Sequence, residues 1–155
     1  MNATHLTPEV EQRWLELRQH LDWSEGFSLV FYFSDNLATM EKLRQRVEKY
    51  YLGRSTKLKI INYERRDDWM ERTLKSLLPR KSINEPIWLE LNRDDSELAQ
   101  NSYSQLMLRL NERRDQLRRD LNQTLFIILP FHYLAVCRES VPDLWGVRAL
   151  SEVIE

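Results

Sequence analysis

Glycine occurs only three times in the 155 residues and proline five times. So small a supply of chain-breaking residues excludes a flexible linker, a collagenous repeat and low-complexity disorder. There is also a single cysteine, Cys137. That excludes an intramolecular disulfide and a cysteine-rich zinc site, and it fits a reducing compartment, so a cytoplasmic protein is expected. An excess of charge of either sign is missing too: 23 basic and 24 acidic side chains nearly cancel. No global field draws the chain to nucleic acid or to an anionic membrane, and any such attraction has to come from a local patch. No run approaches the ~20 apolar residues that cross a bilayer, and the N-terminus is polar and acidic where a signal peptide needs an apolar core. His5, His20 and His132 stand far apart with no metal-ligand spacing, so no metal is expected.

What is present is a repeated change of period. Thr7 and Pro8 open a helix whose Val10, Trp14, Leu17 and Leu21 share one face. After Gly26 the aromatic and β-branched run 27–33 reads as a buried strand. Ser34, Asp35 and Asn36 can each cap the next helix, in which Leu37, Met40, Leu43, Val47 and Tyr50 return to helical spacing before Gly53. Residues 57–63 read as a second strand, followed by a helix from about Asp68 to Pro79; residues 86–91 read as a third strand. A long helix follows, with Tyr103, Leu106, Leu110, Leu117 and Leu121 on one stripe interrupted by Arg114. The continuous apolar run 124–129 reads as a strand covered on both faces and therefore central. A short helix over 131–137, a turn over 142–147 and a last strand over 148–154 complete the chain. Strands alternating with helices predict a three-layer α/β sandwich with a mostly parallel sheet of about five strands. Residues 1–155 form one domain in this reading, with the helix inside 1–23 packed on it.

In such a sheet ligands bind outside the carboxyl ends of the strands. A P-loop at the first of these turns needs glycines so that backbone amides can wrap phosphate, a lysine for the outer phosphates, and a Ser or Thr for magnesium. The run from Phe33 to Lys42 has none of those glycines, since none lies between Gly26 and Gly53, and Asp35 and Glu41 would repel an anion. A GxGxxG dinucleotide site fails for the same reason, so no cofactor is expected. Glu90, near the end of the third strand, is the one cofactor-site candidate, because nucleotide hydrolases place an acid there; the bland alternative is a strand-end acid facing solvent or paired with an arginine. Asp94 and Asp95 look like loop or helix-start residues. His132 and Cys137 could be named as base and nucleophile, but residues five apart on a helix point about 140° away from each other. No catalytic residue is assigned. Arg109, Arg113, Arg114, Arg118 and Arg119 form the densest basic cluster, but interleaved Glu112, Asp115 and Asp120 make a solvated face the better account.

The run 110–117 (Leu-Asn-Glu-Arg-Arg-Asp-Gln-Leu), the strand 125–130 ending in Leu129-Pro130, Ala135, and the turn 142–148 (Pro-Asp-Leu-Trp-Gly-Val-Arg) resemble an N-terminal domain of bacterial tetratricopeptide-repeat proteins. That domain is related to the STAND and AAA-type nucleotide-binding folds. Val141 and Gly146 depart from the alanine and serine usual in the family. The resemblance implies a P-loop NTPase-like sheet without a phosphate loop, serving as a regulatory or interaction module in a bacterial signalling or defence assembly. Three readings stand. The first is a non-catalytic module binding a protein partner, a second copy of itself included, through Phe131, Tyr133 and Trp145 with Arg114 and Arg118. The second is an atypical nucleotide-dependent enzyme, and the third a nucleic-acid-binding accessory domain, which the charge balance disfavours.

Overall fold

The computed structural model describes residues 5–78 and 84–155. Thr7 caps the first helix, α1 (Pro8–Trp23), by accepting the Val10 amide at 3.4 Å, and Val10, Trp14, Leu17 and Leu21 are its buried face. Strand β1 (Ser28–Phe33) is buried along its whole length. Helix α2 (Leu37–Leu52) is capped by Asn36, whose Oδ1 accepts the Thr39 amide at 3.1 Å. Its buried face is Met40, Leu43, Val47 and Tyr51, so Tyr51 takes the inward place expected of Tyr50. Tyr50 turns outward, donates to Asp22 Oδ1 at 2.7 Å and carries the Arg54 guanidinium 3.9 Å above its ring. Leu37, the first residue of the predicted face and of the helix itself, is exposed rather than buried.

Strand β2 (Lys59–Asn62), helix α3 (Trp69–Leu77) and strand β3 (Ile87–Glu90) follow as expected. The Pro79 end of the predicted third helix lies outside the described residues. The long helix after β3 is two helices. Ser96 caps α4 (Glu97–Glu112), which stops at Arg113 (φ −113°, ψ 20°), and α5 (Arg114–Asp120) starts beyond it. Strand β4 (Thr124–Leu129) is fully buried. The short helix expected over 131–137 is displaced to α6 (Tyr133–Ser140), because Pro130, Phe131 and His132 are spent turning the chain away from the sheet. The expected turn at Pro142 is a short helix, α7 (Pro142–Gly146), with proline at its first position. Strand β5 (Leu150–Val153) ends the sheet.

All strand pairs are parallel, in the order β2-β3-β4-β1-β5, which puts β4 at the centre. Alternation along the strands splits the core into two layers. Phe31, Phe33, Leu89, Ile127 and Leu129 face α3 to α7, while Val30, Tyr32, Trp88, Phe126 and Ile128 face α1 and α2. The central strands are therefore continuous apolar runs, as a sheet covered on both faces demands. From β1 the chain crosses one face to the far edge; from β4 it crosses the other face, past β1, to β5. The direction reverses between β1 and β4, and the ends of these two strands form the topological switch point.

Candidate functional site

At the switch point the turn 34–36 faces the turn 130–132. Ser34 is buried and donates its amide to the carbonyl of Leu129 at 2.9 Å, which continues the β1 to β4 ladder by one bond. Its Oγ accepts the Asn36 amide at 3.1 Å, and its carbonyl accepts Asn92 Nδ2 at 3.0 Å from the loop after β3. Asp35 Oδ1 accepts the Phe131 amide at 3.1 Å, so a carboxylate bridges the two turns. Asn36 holds the Thr39 amide and also reaches the Glu155 carbonyl with Nδ2 at 3.4 Å. A helix N-terminus attracts anions through amides that lack intrahelical partners. Here side chains of the turn occupy two amides at the α2 start, those of Asn36 and Thr39, and Asp35 adds negative charge beside them.

Glu90 lies at the end of β3, on the α2 side of the sheet, only 2% exposed. Its Oε2 accepts Arg93 Nε at 2.9 Å and stands 3.9 Å from Arg44 Nη1. Arg44 is itself held by Glu48 at 3.0 Å and by Glu41 at 3.7 Å, both on α2. The carboxylate is therefore buried and clamped by arginines rather than facing solvent. Nothing in the sequence marks Arg44 and Asn92 as neighbours of this end of the sheet, because neither stands in a motif and only the tertiary fold brings them there.

The loop after β3 is equally self-contained. Asp94 forms a two-pronged pair with Arg65 (2.9 and 3.3 Å) and accepts the Ser96 amide at 2.9 Å; these donors hold its carboxyl well below the usual carboxylate range. The Asp94 carbonyl accepts the Tyr103 hydroxyl at 2.8 Å. Among the described residues no three carboxylate, histidine or cysteine side chains gather as a metal site. Cys137 is fully buried on α6, and burial pushes its thiol up to about 12, the opposite of an activated nucleophile. His132 is exposed at the start of the same helix, its ring against Tyr133.

The proposed aromatic contact surface is divided by the fold. Phe131 is about half exposed, at 49%. Tyr133 is corrected to a core residue: it is buried, and its hydroxyl bonds the Gln100 carbonyl at 2.7 Å and Ser104 Oγ at 3.1 Å. Trp145 is half-buried against Phe31 and Phe33, with ring centroids 5.5 and 6.0 Å away, and the Arg148 guanidinium covers it at 4.0 Å. Arg114 ties α5 to α7 through Asp143 at 2.9 Å, and Arg118 is exposed on α5.

No family model and no curated protein matches the chain. Among solved structures it is similar to the Aeropyrum pernix ORC2 protein, described in ADPNP-ADP complexes, with a TM-score of 0.53 and 12% identity over 99% of this chain and 50% of that one. It is also similar to the Aeropyrum pernix ORC1 protein in complex with DNA, with a TM-score of 0.51 and 13% identity over 97% of this chain and 46% of that one. The chain has a P-loop NTPase-like fold. The expected α/β sandwich and five-stranded parallel sheet are borne out, and among the described residues no helix is long and apolar enough to cross a membrane. The chain spans about half the length of these two structures.

Proposed function

We propose that this P-loop NTPase-like sheet works as a non-catalytic interaction or regulatory module, a single α/β domain in which α1 is an integral layer. The observation that carries the reading is the closed switch point. The turn that would have to wrap a phosphate instead spends its side chains on its own amides and on Phe131, and the acid at the end of β3 is bound by Arg93 and Arg44. Catalysis of phosphoryl transfer rests on positioned donors and metal around the phosphates. The turn Ser34, Asp35 and Asn36 has neither the glycine nor the lysine that a phosphate loop uses for this. The resemblance to the N-terminal domain of tetratricopeptide-repeat and STAND-like proteins adds the setting: a cytoplasmic, bacterial signalling or defence assembly with a protein partner.

Titration calorimetry with ATP, GTP and magnesium tests the reading, and no heat of binding is the expected result. Tight binding that disappears in Glu90→Gln would replace it with nucleotide-dependent activity at a nonstandard site. A nucleic-acid role has one observation behind it, that the similar ORC1 protein was solved with DNA. Binding of duplex DNA that weakens steeply with salt is the result that would favour it.

A further inference from the structure

Helix α3 is apolar on a wider arc than the sheet can cover. Trp69, Thr73 and Leu77 point into the core, and the next stripe, Met70, Leu74 and Leu78, is only half-buried. This second stripe forms one wall of a 340 Å³ groove whose other wall is Arg109, Arg113 and Gln116, across from it on α4 and the start of α5. The charges along the groove are unbalanced. Lys75 and Glu71, 3.7 Å apart, satisfy each other. Among the described residues neither Arg109 nor Arg113 has a carboxylate partner, and the Arg113 guanidinium donates to the neutral Gln116 Oε1 at 3.3 Å. Elsewhere in the same basic cluster Arg114 pairs with Asp143 and Arg119 with Asp120 at 3.1 Å, while Arg118 is exposed on α5 away from the groove lining.

From this combination we infer that the α3–α4 groove docks an acidic amphipathic helix from a protein partner. The inference rests on the interaction-module reading and names the partner's chemistry. Met70 and Leu74 on α3 and Leu78 at its C-cap are spaced four residues apart, a wall of roughly two helical turns that matches a ligand helix with apolar anchors at i, i+4 and i+7. Carboxylates flanking those anchors would meet two guanidiniums, whose planar forks donate to carboxylate in two-pronged pairs. A nucleic acid would use the arginines but leave the apolar wall unpaired.

The test is a selection from a displayed random library of helix-biased peptides of about 16 residues, or ~24 Å as a helix, on the wild-type chain, with counter-selection on Arg109→Glu/Arg113→Glu. Both arginines are exposed, so the double variant should keep the wild-type circular dichroism and melting temperature. Enriched peptides are expected to carry apolar residues at helical spacing flanked by Asp or Glu. A synthetic copy should lose at least about tenfold in affinity on the charge reversal, and its Glu→Lys version should prefer the reversed variant over wild type. Failure to enrich any peptide, enrichment of basic or uncharged ones, or an affinity indifferent to the reversal would overturn the inference. So would duplex DNA binding that the same reversal abolishes while acidic peptides fail to compete. The calorimetric result is independent: absent nucleotide binding together with a failed selection removes this groove and leaves the module reading, whereas nucleotide binding removes the module reading whatever the peptides do.

Discussion

Asp94 and Glu90 show how differently two nearby acids can be employed. Glu90 is buried between Arg93 and Arg44, so it joins α2 to the sheet through charge. A strand-end acid pairing with a neighbouring arginine was legible from Glu90 and Arg93 three residues apart, but its burial was not, since that depends on α2 lying across the same face. Asp94 is stabilised in its ionised form by Arg65 and the Ser96 amide, and its folded pKa is depressed. A depressed carboxylate contributes stability that is full above its unfolded pKa and lost as pH falls through the folded value. Thermal melting between about pH 5 and pH 2 should therefore show an acid limb that is shallower in Asp94→Asn than in wild type. Equal limbs would mean that the Arg65 pair does not persist in solution. Tyr50 and Tyr51 illustrate the limit of residue-level reading: neighbours on one helix compete for the inward place, and the hydroxyl that finds Asp22 goes outward.

The elements themselves were largely legible from their periodicity, and the three longest helices also carry a start signal. Thr7, Asn36 and Ser96 all accept an amide from the first turn of their helices. Asn36 closes the α2 N-terminus at the switch point, so Asn36→Ala should lower stability by about 1 kcal/mol in urea unfolding. A loss well below this would show that water replaces the cap at no cost. The break between α4 and α5 could not be read from the stripe. Leu110 and Leu117 are seven residues apart and both buried, with or without an interruption, and the Arg113 amide bridges the gap by bonding both Arg109 and Leu110 carbonyls at 3.1 and 3.2 Å. The break also divides the basic cluster: Arg109 and Arg113 line a groove while Arg114 turns toward α7.

For the molecule as a whole, the centre of the sheet should be the most sensitive place. Phe126 sits in the middle strand between Trp88, 5.3 Å away, and the helices of one face, with no exposed surface. Phe126→Ala should cost about 3–5 kcal/mol, read from the midpoint of urea unfolding, whereas Leu150→Ala on the partly exposed edge strand should cost clearly less. A smaller effect at Phe126 than at Leu150 would mean that the core is not organised around β4. The amino-acid order alone determined the class of the fold, the burial of β4 and the lack of a glycine-rich turn after β1, because period, apolar runs and glycine supply are local properties. The order of the strands, the pairing of Asp35 with Phe131 across the switch point, the sinking of Tyr133 into the core and the groove beside α3 were decided only in three dimensions. Each depends on which distant segments the parallel crossovers bring side by side, and no local preference of a residue encodes its partner ninety positions away.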